Sequence, residues 1–239
     1  MERGLLIDLW GTIFWPKLPL EEYHRLRVRK IRESLGEAGR SLSFEAVYEA
    51  YMAARRLADT IRTTTHAEVN LTAEMLIFLD KLGIEPDLDV LRRLEEAYVY
   101  PYLTHLVVAE GVADLIKTAR ERGFKVILAS NTASGKASER LLREHGLLCL
   151  FDYLAFSDEI GFRKPHPRFF SVIVRETGIV PSRSLFVGDE EADIAGAKNF
   201  GMKAVAFTGF HEYNGSTTPD ATARTMAEVA EMLAGSNER

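Results

Sequence analysis

The chain has 239 residues, a formal net charge of −5 and one cysteine, with 46% hydrophobic and 27% charged residues. That is the balance of an ordinary globular protein, long enough for one large domain or two smaller ones. The acidic balance weighs against nucleic acid as a partner, and no apolar run approaches the roughly 18 residues of a membrane span. A strand pattern begins at once with no leader ahead of it, so a cytoplasmic protein is expected. The single cysteine, Cys149, lies in the run Leu147-Leu148-Cys149-Leu150, where a buried, inert thiol is expected.

The first element is Leu5-Leu6-Ile7, an apolar run that delivers Asp8 and breaks at Gly11. Polarity confined to the end of a short run marks a buried parallel strand, and ligands of open α/β sheets bind beyond such ends. Pro16 stops regular structure, so a hinge is expected at residues 14–18. From Pro19 to Tyr100 the period becomes helical. His24, Val28, Ile31 and Leu35 share one face, ahead of Gly36. Ser43 caps a second helix with Val47, Tyr51, Ala54 and Leu57 on one face. Thr72 to Leu82 makes a third, and Asp87 or Asp89 opens a fourth carrying Leu91, Leu94 and Tyr98, which Pro101 ends. A second pivot is expected at 101–105.

Beyond Gly111, strands and helices alternate. Lys125 to Ala129 is a strand ending in Ser130-Asn131-Thr132, and Tyr153 to Phe156 is another. Lys164-Pro165-His166-Pro167 enters a helix, with proline suited to its first turn. Ser184 to Val187 is a strand ending in Gly188-Asp189, Lys203 to Phe207 is the last strand, and Thr225 to Leu233 is a final helix before a tail, from Gly235, expected to fray. The class is α/β, a mostly parallel sheet covered on both faces. A parallel sheet collects Asp8, Ser130-Asn131, Lys164, and Asp189 with Asp193 at one edge. Carboxylates brought close repel and raise each other's pKa; a hard cation such as Mg²⁺ relieves that and favours sites that also hold phosphate. Lys164 supplies a point charge, and Ser130 with the backbone N–H beside it supplies donors, the set that phosphoryl transfer needs.

These residues resemble the haloacid dehalogenase-like hydrolase superfamily over the full length. Asp8-Leu9-Trp10-Gly11-Thr12 matches its first motif, Asp-x-Asp-x-Thr, except at position 10; Ser130 matches the second and Lys164 the third. Gly188-Asp189-Glu190-Glu191-Ala192-Asp193 matches the fourth. The resemblance implies a Rossmann-like, doubly wound sheet ordered 3-2-1-4-5, with a helical-bundle cap inserted after the first motif. The expected division is a core of 1–15 and 105–239 and a cap of 16–104. It implies Asp8 as nucleophile forming an aspartyl-phosphate, Ser130 and Lys164 as its catalytic partners, and substrate contacts from Thr12, Trp10 and Asn131. Mg²⁺ would be held by Asp8, Asp189 and the backbone carbonyl of Trp10, with Asp193 acting through water or from behind the ligands. The substrate would be a small phosphorylated molecule, and the protein a monomer or homodimer.

Position 10 departs from the pattern. The family's phosphatases carry there an Asp that protonates the leaving oxygen, and Trp10 cannot. Replacement candidates are Glu190, Glu191, His24 and His66. Three other outcomes stay open. The first is a 2-haloacid dehalogenase, whose halide needs no proton. The second is a phosphonatase using Lys17, Lys30 or Lys81 as a Schiff-base lysine. The third is a phosphate-binding protein with little turnover. The arginines Arg25, Arg27, Arg29, Arg32, Arg55, Arg56 and Arg62 are expected to form a solvated face, or one or two of them to reach a second anionic group on the substrate.

Overall fold

The computed structural model describes residues 2–234, so the tail from Gly235 lies outside the described residues. In chain order the elements are β1 (Arg3–Ile7), β2 (Phe14–Pro16), α1 (Leu20–Glu37), α2 (Phe44–Thr65), α3 (Leu71–Lys81), α4 (Leu88–Thr104) and β3 (Leu106–Val108). There follow α5 (Val112–Glu121), β4 (Phe124–Ser130), α6 (Gly135–Glu144), β5 (Tyr153–Phe156), α7 (Ser157–Ile160) and α8 (Pro167–Thr177). The chain closes with β6 (Leu185–Gly188), α9 (Glu191–Asn199), β7 (Lys203–Phe207), β8 (Ala221–Ala223) and α10 (Met226–Ala234).

Six parallel strands form one sheet in the order β5-β4-β1-β6-β7-β8. Counted along the sheet's own strands this is 3-2-1-4-5-6, the expected order with one addition. Ala221–Ala223 is a strand beyond β7, so Lys203–Phe207 is not the last; three small residues carry too little apolar signal to announce it. β1 lies at the centre because both of its faces are apolar. Leu5 and Ile7 join the core shared with α5, α6 and α10, while Leu6 joins the opposite core with Phe169, Phe170 and Ile173 of α8 and Ile194 of α9. The strand's period of two divides one short run between two layers.

Helices α1 to α4 bury a separate core of their own, including Val28, Ile31, Leu35, Tyr51, Met75, Phe78 and Leu94, with Ala137 of α6 at its border. Ser43 caps α2 through a bond from the Ala46 N–H (3.1 Å), and Asp87 rather than Asp89 caps α4. Leu57 departs from the expected stripe of α2: it is exposed, and Ala58 and Arg62 are buried instead. The two connections to the sheet are not free hinges. Phe14–Pro16 pairs antiparallel with Leu106–Val108, so both crossings form one two-stranded ribbon. Pro101 does not end the fourth helix, which runs on to Thr104. A proline this near a helix end forfeits one backbone bond, and the last turn is still closed by the His105 N–H on the Pro101 carbonyl (2.9 Å). Cys149 is exposed, contrary to expectation, because its run folds as a short 3-10 turn that turns the thiol outward. No helix among the described residues is long and apolar enough to cross a membrane.

Phe170 anchors the layer behind the central strands, fully buried among the rings of Phe169, Phe186 and Phe200 at 5.4–6.0 Å between centroids. Phe170→Ala is expected to cost about 3–5 kcal/mol of unfolding free energy, read as a lower urea midpoint at unchanged slope.

Candidate active site

Three neighbouring strands, β4, β1 and β6, end side by side, so Ser130, Asp8 and Gly188-Asp189 meet at one edge. The Asp8 N–H donates to the Val187 carbonyl (2.9 Å), carrying the ladder one step past β1 and fixing where the carboxylate emerges. Two glycines let the acids approach. Gly11 has φ +87°, and a Cβ there would lie 2.0 Å from the Asp189 carboxylate; a Cβ on Gly188 would lie 2.4 Å from that of Asp193.

Lys164, buried and brought in by the loop ahead of α8, sits at the centre of the charges. Its Nζ donates to Asp8 Oδ1 (2.5 Å), Asp193 Oδ1 (2.6 Å) and the Ala129 carbonyl (2.6 Å), occupying all three of its N–H groups. Asp193 Oδ2 accepts from the N–H groups of Asp189 and Glu190, both at 3.1 Å. Asp189 accepts from the Thr12 hydroxyl (3.0 Å) on one oxygen and pairs with His211 Nε2 (2.8 Å) on the other. One ammonium does not balance these acids. Burial, with Asp193 and Glu190 adding repulsion against the pull of Lys164, raises Asp8 to about 7. Burial, with Asp8 and Asp193 beside it, raises Asp189 to about 9. Asp8, Asp189 and Asp193 each offer an oxygen within 4.8 Å of the others, a buried set of hard donors with surplus negative charge that suits a divalent cation.

A cavity of about 350 Å³ opens beside this cluster. The sheet edge contributes Asp8, Trp10, Ser130, Asn131, Lys164, Glu190 and Asp193, and the helical insert contributes Tyr23, His24, Arg27, Arg55, Tyr98 and Tyr102. Trp10, half-buried, stacks on Tyr102 (5.9 Å, 18°) and leans on Tyr23 (5.6 Å). Two of the expected substrate contacts also bond to other residues of the site. Asn131 clamps the backbone of Lys164, donating to its carbonyl (3.1 Å) and accepting from its N–H (2.8 Å), and Thr12 spends its hydroxyl on Asp189 away from the cavity wall. Among the candidates for the missing acid, His66 closes α2 away from the cavity wall. Glu191 is held by Thr217, Tyr213 and Ser216, whose hydrogen bonds, Thr217's foremost, pull it down to about 2. Glu190 and His24 do line the cavity; burial raises Glu190, while burial with Arg27 and Arg55 pushes His24 down to about 4.

One site residue, His211, escaped the sequence reading, and a second, Arg27, was named there only as one of seven arginines. His211 follows β7, and the rule that placed Asp8 and Asp189, polar groups just past a parallel strand, also points to it. Arg27 stands three residues after His24 and four before Ile31, on the buried stripe itself, where an arginine is discounted because most are solvated.

Residues 2–201 match the family model described as haloacid dehalogenase-like hydrolase. The chain belongs to the haloacid dehalogenase-like hydrolases. Two curated relatives of this hydrolase span most of it. A glyceraldehyde 3-phosphate phosphatase from Methanopyrus kandleri is 27% identical over 86% of the chain and 83% of its own length. A (S)-2-haloacid dehalogenase from Pseudomonas sp. (strain YL) is 27% identical over 99% and 98%. Among solved structures, a HAD phosphatase from Thermococcus onnurineus (TM-score 0.69, 22% identity, 98% of each chain) and a 2-haloacid dehalogenase from Pseudomonas syringae pv. Tomato DC3000 (TM-score 0.71, 20% identity, 98% and 99%) share its fold.

Asp8 and Asp189 both leave an ordinary value of 3.8 for a higher one on folding, so between those values the folded state binds more protons than the unfolded chain. Stability therefore falls as pH rises through that window. The metal-free hydrolase is expected to melt at progressively lower temperature from about pH 5 to about pH 9, and Asp189→Asn to flatten the decline; a rising profile contradicts it.

Proposed function

We propose that this hydrolase is a Mg²⁺-dependent phosphatase acting on small phosphate esters through an aspartyl-phosphate on Asp8. The observation that carries this is the buried trio Asp8, Asp189 and Asp193, with Asp8 and Asp189 raised in pKa and Lys164 neutralising only part of the charge. The donor set fits Mg²⁺, which Asp8, Asp189 and the Trp10 carbonyl would hold, with Asp193 behind them; bound there, it would neutralise phosphoryl oxygens and keep Asp8 ionised.

The chain's own residues divide the rest of the work. Lys164 orients Asp8 Oδ1 and holds Asp193 in place. Asp8 attacks phosphorus, the bond to the leaving oxygen breaks, and Ser130 with its neighbouring N–H donates to the phosphoryl oxygens. Water then attacks phosphorus and frees Asp8, releasing phosphate and a proton. The insert of residues 16–104 acts as a cap over the core of 1–15 and 105–239, excluding water, with the two-stranded ribbon as its stem. Asn131 and Thr12 serve by bracing Lys164 and Asp189, with Asn131 also facing the cavity.

Dehalogenase chemistry is the second reading, favoured by the aromatic Trp10 and by the full-length Pseudomonas relative. Against it stands the acidic trio, which a metal-free displacement of halide does not need. Phosphonatase chemistry lacks its lysine, since Lys17, Lys30 and Lys81 are absent from the cavity wall.

With no acid at position 10, the rate should follow the stability of the departing anion. Aryl and acyl phosphates are expected to be hydrolysed with Mg²⁺ and alkyl phosphates about 10²–10⁴ times more slowly, a gap that Trp10→Asp narrows. A flat series, or full activity in Asp8→Asn, contradicts the proposal, and chloride release from 2-chloropropionate replaces it with the second reading. At pH 7, Mg²⁺ added to weakly buffered protein should release protons from the raised carboxyls, detected by an indicator dye; no release speaks against metal binding at the trio.

A further inference from the structure

Arg27 lines the cavity, is only 5% exposed, and has no carboxylate partner among the described residues. Its Nε donates to the Tyr98 carbonyl (2.8 Å), Nη1 to the Tyr51 hydroxyl (3.0 Å) and Nη2, at 3.4 Å, to the Tyr23 hydroxyl. Its plane lies over the rings of Tyr98 (4.1 Å) and Tyr23 (5.0 Å). A guanidinium has five N–H groups, so donors remain, all partners so far are neutral, and a buried charge without a counter-charge is costly.

The buried acids of the insert near Arg27 are shared with other cations, and one acid, Asp59, lines the cavity itself. Arg62 takes Asp59, Glu68 and Glu74, each at 2.9 Å, and Arg163 takes Glu68 at 2.6 Å. Arg55, also on the cavity wall, pairs among the described residues with Asp59 alone, at 3.6 Å. With Arg27, Arg55 and Arg62 against Asp59, the cap side of the cavity thus carries surplus positive charge, and burial, with Arg27 beside it, keeps His24 neutral. The core side carries surplus negative charge suited to a cation. Trp10 joins the two: it is two residues from Asp8 and packs on Tyr23, the ring that Arg27 overlies.

We propose that Arg27, supported by Arg55, binds a second anionic group on the substrate, so that the substrate is a compact phosphate ester also bearing a carboxylate or a second phosphate. This rests on the phosphatase reading of the core site. The cavity, about 350 Å³, lies at the small end of ligand pockets, which are roughly 300–1,000 Å³, and so favours a short chain between the two charges.

The test compares affinities of propylphosphonate, 3-phosphonopropionate and propane-1,3-bisphosphonate by calorimetry with Mg²⁺ present. In the unaltered protein at least one doubly anionic probe is expected to bind about tenfold or more tighter than propylphosphonate, and which one does so separates carboxylate from phosphate. Arg27→Gln should bring the affinities within about threefold of one another, while Arg27→Lys, which keeps the charge and loses the planar fork, gives an intermediate ratio. A ratio near one in the unaltered protein, or a full preference surviving Arg27→Gln, overturns the proposal. Should Arg27→Gln lose its cooperative melt, Arg27→Lys decides, and an undiminished ratio there overturns it too. If p-nitrophenyl phosphate is hydrolysed and propylphosphonate binds, such a result condemns the second anion site alone. If neither happens, the core reading fails and this inference falls with it.

Discussion

The rest of the structure depends on the ammonium of Lys164. Its three donors tie the carboxylate at the end of β1, the carboxylate in the first turn of α9 and a carbonyl near the end of β4. β1 and β4, paired along their backbones, and α9, which packs on the sheet, are thereby held at the level of single oxygen atoms. Such a cluster is poor economy for stability. Desolvating several ions costs as much as their attraction returns, although removing one partner from an intact buried pair typically costs about 3–5 kcal/mol. A fold that wanted only stability would do as well with apolar side chains here. The acids surrounding Lys164 remain in excess after it is counted, and that excess is what makes the edge chemically useful.

The second layer of residues keeps that arrangement rigid. Asn131 grips the backbone of Lys164 on both sides, so the ammonium is aimed by its own loop rather than by the acids alone. Thr12 and His211 each hold one oxygen of Asp189, fixing the plane of that carboxylate. Gly11 and Gly188 are needed because the acids pack where a Cβ would stand. Asn131 and Thr12, expected from sequence to touch substrate, also hold Lys164 and Asp189 in place, and Asn131 lines the cavity as well. A position beside a reactive group does not show which way its side chain points.

The parallel sheet and most of the acidic edge were legible because they rest on two strong regularities: apolar runs that end in a polar residue, and the gathering of parallel strand ends at one side; the strand order followed only from the resemblance to the family. What escaped was decided by tertiary context. β8 is three residues long, and its pairing with β7 supplies what its composition lacks. The crossings at residues 14–18 and 106–108 look like loops one at a time and become a ribbon only when they meet. Pro101 was weighed by its local effect on a helix, while the packing of α4 carries the helix past it. Arg27 occupies an apolar stripe that three tyrosines convert into a place for a cation, an arrangement split between α1, α2 and α4 and invisible from any one of them. His211 lies in a loop whose path is set by Tyr213, Ser216 and Thr217 gripping Glu191, contacts that no short window contains.

Trp10 ties these observations together. On the proposed mechanism, losing an acid at this position forfeits a factor of about 10²–10⁴, or roughly 3–5 kcal/mol of barrier. The indole gives back something of a different kind. Stacked on Tyr102 and set against Tyr23 and Trp15, it walls the proposed nucleophile with aromatic surface. Charges in a site that excludes water interact several-fold more strongly than at a wet surface. The benefit falls on the attack step and on binding an anionic substrate, whereas the loss falls on departure of the leaving group. The exchange is therefore favourable only where departure is already easy. His24, neutral and bonded to the Tyr51 hydroxyl at 2.8 Å, is poorly suited to reverse that balance. On the proposed mechanism, such a site would discriminate first by the stability of the departing anion and then by the charge that the rest of the substrate offers to Arg27.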